Sequence, residues 1–388
     1  MTASADTSAR LETLSLALLM AGIAAVGLQA LMISPLLTDI GSSLGVGPKE
    51  LGLASGAYGA GVAVMALLSA PRLGRWPKRT AIQLAFGAMA LGLGLCALAW
   101  DWRVLALGQL ASGAAAGVII PGTYALTADI TPQHLRSQAI GRVLFGWSVA
   151  LVGGVPVAAA LGDLMDWRTT FAIVAAVSAA MVGLIGLLPR TARSASEQVR
   201  YGDALSIPGV PVALLATFAY MIGFYQTYTF IGDHVRLAHG AGAWLGGLIA
   251  GSYGLGFGVA VVLDAWIDRT GSRKLMPFTL ALVGLNYLVL PFAMLNVWTV
   301  VLYPFLWGLA NHLCMNVLVS FMGASPADKR STVMGLFSGV TYIAHGLGAA
   351  VYGGVYAAYG FSAVSFAAAA TLFAAAITIA LFLPRSVR

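Results

Sequence analysis

The chain alternates long apolar runs with short polar or turn-rich breaks. Dividing it at those breaks gives twelve runs, at about 14–39, 48–71, 80–100, 104–128, 138–162, 169–189, 207–232, 243–266, 275–295, 298–322, 332–357 and 362–384. A helix needs roughly 20 apolar residues to cross a hydrocarbon core of about 30 Å, and a barrel strand only about 10. The runs therefore predict membrane-spanning helices, which satisfy their own backbone in lipid. The longer ones are expected to tilt or curve. The expected fold is an all-α membrane protein of twelve transmembrane helices.

Composition agrees and adds the style of packing. Hydrophobic residues make up 59% of the 388 positions and charged residues 9%, against roughly 25% charged in an average soluble domain. The 47 glycines let helices approach closely where lipid supplies no hydrophobic drive between them. The net charge of +7 follows loop parity. With both termini in the cytoplasm, only Lys49, Arg103, Arg168 and Arg236 of the 21 basic residues fall outside, the bias expected for cytoplasmic loops. No groove-lining basic stripe points to a nucleic-acid partner. The lead "MTASADTSARLETLS" is polar and runs into a span too long for a signal peptide, so no cleavage is expected. Cys96 and Cys314 lie in different runs and read as packing residues. No His-x-x-x-His pair, cysteine cluster, nucleophile elbow or Walker loop is present, so neither an enzyme nor a metal or cofactor site is expected.

The longest hydrophilic break, "RTARSASEQVRYGDALS" at 190–206, divides the runs six and six. Across it the halves repeat. "GAYGAG" at 56–61 returns as "GSYGLG" at 251–256, Asp39 and Asp233 close the first and seventh runs, and basic loops follow at 72–79 and 268–274. This predicts a six-helix bundle over 1–189, a cytoplasmic linker over 190–206 and a second bundle over 207–388. A repeat of six spans is the layout of transporters that rock two bundles about a central site.

These residues resemble the major facilitator superfamily, and within it the bacterial twelve-span drug and sugar efflux branch, over essentially the whole chain. The signature loop after the second span survives in "DAWIDRTGSRK", which keeps Asp268, Arg269, Gly271 and Arg273. Its first-half copy, "APRLGRWPKR", keeps Arg75, Lys78 and Arg79 but has Gly74 where the acid belongs. "GWSVALVGGVP" in the fifth span is similar to the antiporter glycine-proline motif, and "DWRTTF" to the start of the sixth span in this branch. The resemblance implies alternating access across the bacterial inner membrane, with efflux of a drug or sugar as the direction, and a gating loop built on Arg75, Arg79, Asp268, Arg269 and Arg273. It also implies that spans one, four, seven and ten line the cavity. A monomer is expected. The position of the arginine that many proton-coupled members carry in span four is Gln109 here.

Candidate chemistry sits where apolar runs turn polar. "ANHLCMNV" at 310–317 places two asparagines and His312 in the tenth run, while Ser338, Thr341, Tyr342, His345, Tyr352 and Tyr356 fall on one stripe of the eleventh. Counted from the inner ends of their runs, His312 and His345 are about 16–20 Å deep. The acidic residues read as lying at span ends or in loops, Asp264 among them at an inner end. The histidines are then the groups left to carry a proton, if transport is proton-coupled. The expected substrate set is Gln29, Gln109, Tyr225, Gln226, Trp307, Asn311, His312, Asn316, Tyr342 and His345, suited to a small neutral or weakly ionised organic molecule. Taken singly, Gln226 and Asn316 fit an interhelical hydrogen bond equally well. Gly113 and Gly117 read as a close-packing notch, and Trp100, Trp102 and Trp298 as interfacial anchors. Uncoupled uptake or facilitated diffusion is the alternative within transport, and a non-transporting membrane sensor the alternative outside it.

Overall fold

The structure is a computed structural model and describes residues 2–69, 76–189, 201–326 and 329–383. Among these residues it is helical throughout, with no strand, and eleven helices or merged helix runs are long and apolar enough to cross a membrane. In chain order, α1 (Thr2–Leu31) and α2 (Ile33–Leu44) form one run. It bends near Pro35, which lacks the N–H that would bond the Leu31 carbonyl. α3 (Pro48–Ser69), α4 (Lys78–Ala97) and α5 (Trp102–Ile130) follow singly. α6 (Arg136–Leu144), α7 (Gly146–Val149) and α8 (Val155–Leu164) make the next run, joined by a π-helical turn over Ala150–Gly154 that ends just before Pro156. α9 (Trp167–Ile185) begins at Asp166, whose carboxylate accepts the Thr169 N–H and is held below the usual carboxylate range by it.

The expected linker is partly structured: α10 (Tyr201–Leu205) is a short helix, and 190–200 lie outside the described residues. Then come α11 (Val210–His239) and α12 (Ala243–Val259). A 3₁₀ turn over Ala260–Leu263 leads into α13 (Asp264–Thr270), followed by α14 (Ser272–Ala293), α15 (Val297–Gly323) and α16 (Arg330–Phe382). The backbone of α16 leaves the helical region at Gly360, with φ 76° and ψ −179°. Glycine alone enters that region without strain, which is how the chain turns in the short break expected between 357 and 362.

Small residues set the helix contacts. In α3, a Cβ on Gly56 or Gly59 would meet the backbone of Gly346 on α16 at 2.6 and 2.5 Å, and one on Gly61 would meet the Leu110 carbonyl of α5 at 2.4 Å. In α12, Gly254 faces Leu151 and Val152 on the α7–α8 run, and a Cβ on Gly256 would stand 1.9 Å from the Phe305 carbonyl of α15. Each of the two similar hexapeptides thus turns one glycine face to a helix of the other half and one to a helix of its own. The correspondence extends to the partner helices. A Cβ on Gly113 of α5 would stand 2.1 Å from the Tyr58 carbonyl, and one on Gly308 of α15 would stand 2.0 Å from the Tyr253 carbonyl. The notch expected at Gly113 and Gly117 is present, since a Cβ on Gly117 would stand 2.7 Å from the Val62 carbonyl.

At the distal end, opposite the chain termini, polar groups tie the halves together. Arg236 of α11 forks onto both carboxylate oxygens of Asp39 on α2. Asp233 accepts from Thr38 at 2.6 Å and from Tyr356 at 2.7 Å. Asp163, at the end of α8, accepts the Ala243 and Trp244 N–H groups that open α12, both at 2.7 Å, placing an anion on a helix N-terminus. Beneath these, Gly232 of α11 packs so closely on α2 that a Cβ there would stand 2.4 Å from the Ser34 carbonyl.

Candidate functional site

The densest group of rings lies among α11, α12, α14 and α15. Phe224 contacts Tyr225 at 5.0 Å, Tyr228 at 5.3 Å, Tyr253 at 5.5 Å and Trp307 at 5.8 Å, centroid to centroid. Tyr253 and Tyr287 add edge contacts to Trp307 at 4.8 and 5.9 Å. Trp307 is fully buried, so the expected aromatic platform is enclosed on several sides. One turn on, Asn311 donates from Nδ2 to the Trp307 carbonyl at 2.8 Å, and its own carbonyl accepts the Tyr220 hydroxyl at 3.0 Å. Its Oδ1 has no partner among the described residues.

The two histidines do not meet each other. His345 of α16 is stacked face to face on Tyr225, 3.8 Å between centroids and 4° between planes, with Tyr58 tilted against it at 5.6 Å. It is buried, and its Nδ1 has no partner among the described residues. His312 instead turns to Asp264, with Nε2 and Oδ1 2.8 Å apart and Phe257 edge-on at 4.9 Å. The imidazole is 10% exposed and the carboxylate 33%. An aromatic series joins the two sites through Tyr225, Phe224, Tyr253 and Phe257.

The pairing corrects the expectation that no acid reaches the histidines' level. α15 has 27 residues, about 40 Å at 1.5 Å per residue, and overhangs a 30 Å core by roughly 10 Å. Depth counted from the end of a run longer than the core is therefore ambiguous, and Asp264, near the end of its own run, lies 2.8 Å from His312.

The remaining candidates separate. Gln29 and Gln109, both 1% exposed, hydrogen-bond each other at 2.9 Å, and Gln109 also donates to the Cys96 sulfur at 3.7 Å. Gln226 donates to the Val364 carbonyl at 2.9 Å, which ties α11 to the last stretch of α16. Asn316 is half-buried and accepts from Ser320 at 2.9 Å, and Tyr342 is buried. Both cysteines are buried and free. In the loop set, Arg79 donates to the Leu188 carbonyl at 2.7 Å, and neighbouring Lys78 pairs with Asp129 at 2.5 Å. Arg269 is exposed and Arg273 half-buried. Arg75 and the Asp268 side chain lie outside the described residues.

Residues 19–344 match the model of the Major Facilitator Superfamily. The chain belongs to that superfamily. It is a transporter and not an enzyme. It is 32% identical over 354 residues to the uncharacterized MFS-type transporter YwfA of Bacillus subtilis (strain 168), covering 89% of this chain and 86% of that one. The inner membrane transport protein YdhP of Escherichia coli (strain K12) is 27% identical over 351 residues, 88% of this transporter and 89% of YdhP. A Helicobacter pylori protein named "Probable sugar efflux transporter" is 26% identical over 318 residues, 81% of each chain.

Sequence reasoning about this transporter missed Phe224, Tyr253, Phe257 and Asp264. Tyr253 was within reach, because it holds in "GSYGLG" the place that Tyr58 holds in "GAYGAG". Nothing in local spacing links Asp264 to His312, which lie 48 residues apart.

Proposed function

We propose that this transporter exports a small neutral or weakly ionised organic molecule across the bacterial inner membrane by alternating access, coupled to protons at His312. In this reading the chain has twelve spans, with Gly360 separating the last two. They form bundles over 1–189 and 207–388 joined by the linker 190–206, with both termini cytoplasmic as the basic residues suggest. The distal end is then the outer one, and the Asp39–Arg236 pair, Asp233 and Asp163 hold it shut. Trp307, Asn311, Tyr225, His345 and the Gln29–Gln109 pair contact substrate. Arg79, Arg269 and Arg273, with Arg75 and Asp268, serve the inner gate.

The observation that carries the coupling is the pair of His312 with Asp264 at 2.8 Å, on a helix that the family fold assigns to the pathway. Ionisable groups within a membrane span mark ion and substrate routes. Asp264 is partly exposed, so the pair is not sealed within the bundle. Export is favoured by the name of the Helicobacter pylori relative. Counterflow of a radiolabelled compound library in proteoliposomes, repeated with and without an imposed pH gradient, tests the proposal. Accumulation that follows the gradient supports it. Counterflow indifferent to the gradient makes the protein a facilitator, a reading favoured by the neutral Gln29–Gln109 pair. No counterflow with any neutral or weakly ionised compound overturns the proposed substrate class.

A further inference from the structure

We propose that the terminal end of the molecule holds one anionic phospholipid in the groove between α1 and α6, its phosphate on Arg142 and its acyl chain against Leu16, Ala17, Met20 and Phe145. The groove encloses about 260 Å³ and is lined by Thr13, Leu16, Ala17, Met20, Arg142 and Phe145.

The groove lies between two helix runs that pack closely above it. A Cβ on Gly146 would stand 2.4 Å from the Met20 carbonyl, and one on Gly27 would stand 2.9 Å from the Ala150 Cβ, so the first and fifth runs are in backbone contact along that level. Toward the start of α1 and α6, residues of the same two runs line the groove. Thr13, Leu16, Ala17 and Met20 recur at i, i+3, i+4 and i+7, one helical stripe. Arg142 lies about one turn nearer the membrane surface than Phe145.

The lining combines two polar residues, Thr13 and Arg142, with four apolar ones, of which Leu16 is buried and Met20 half-buried. An apolar groove with a cation on its membrane-surface side suits an amphiphile with its head outward. The charge fixes its sign. Arg142 is exposed and forms no ion pair with any described residue. A basic residue at the headgroup level attracts anionic lipid. Arginine also binds phosphate through a planar fork, which a zwitterionic headgroup rewards less.

Native mass spectrometry of the full chain, released from detergent and titrated with dioleoyl phosphatidylglycerol or dioleoyl phosphatidylcholine, tests this without any transport assay. The wild type should bind its first phosphatidylglycerol about fivefold more tightly than phosphatidylcholine, as expected for one basic contact. Arg142→Gln should erase that preference while phosphatidylcholine still binds. Ala17→Trp, at an exposed position that fills the groove, should weaken both lipids; circular dichroism verifies that each variant is folded. Equal affinities in the wild type, a preference that survives Arg142→Gln, unchanged binding in folded Ala17→Trp, or displacement of the lipid by inorganic phosphate would each overturn the proposal.

Discussion

His312 and His345 occupy packed neighbouring helices, look alike in the sequence and are both buried, yet different groups face them. His312 has a carboxylate at 2.8 Å that is itself partly exposed. His345 lies between Tyr225 and Tyr58, with no charged partner among the described residues. The first site pairs an ionisable ring with an ionisable partner, and the second encloses its ring between two tyrosines. The comparison teaches that a histidine's role follows from what faces it across the helix interface and not from its depth.

The largest expected effect breaks the comparison at its charged side. Asp264→Asn and His312→Gln should each lower pH-gradient-driven accumulation at least about tenfold, since either leaves half of an ionisable membrane pair. His345→Gln should leave the gradient dependence intact and change substrate affinity instead. Equal losses in all three variants would dissolve the distinction.

A smaller effect tests the scaffold that sets the two sites apart. Gly113→Ala and Gly308→Ala put a Cβ within 2.1 and 2.0 Å of a tyrosine carbonyl, an overpacking that costs about 1–3 kcal/mol. Both should lower the thermal midpoint by similar amounts, whereas Gly258→Ala, which meets open space, should not. Thermal melts in one detergent measure all three.

Next in size is the distal latch. Arg236→Gln removes a two-pronged contact to a carboxylate that is 28% exposed, a change of roughly 1 kcal/mol after screening. A cysteine at buried Ser34, in a chain freed of Cys96 and Cys314, should then react with thiol reagents about fivefold faster. An unchanged rate would show that the latch does not hold the distal end.

The smallest effect concerns Gln226. Its bond to the Val364 carbonyl is of the interhelical kind that averages roughly 0.6 kcal/mol. Gln226→Leu should therefore shift the melt slightly and leave substrate affinity alone. A large affinity loss would return Gln226 to the substrate contacts.

Much of the fold could be read from local pattern. The apolar runs marked the helices, and the repeated "GAYGAG" and "GSYGLG" marked α3 and α12, whose glycines each serve one partner in each half. The site was less legible because its decisive contacts join distant positions. A helical wheel puts Gln226 beside Tyr225 but cannot say that it reaches Val364. The span count put Asp264 at a helix end, yet only the relative heights of α13 and α15 bring it to His312. Run lengths were also ambiguous where a helix is longer than the core, as the 27 residues of α15 are.

The pairing of His312 with Asp264 makes one measurement decisive. A pH-sensitive dye trapped in proteoliposomes reports protons moved per substrate when an outward substrate gradient is applied. The wild type and His345→Gln should move protons in fixed proportion to substrate, and His312→Gln should move substrate with no proton signal. Stoichiometric proton movement by His312→Gln, together with its loss in His345→Gln, would refute the assignment.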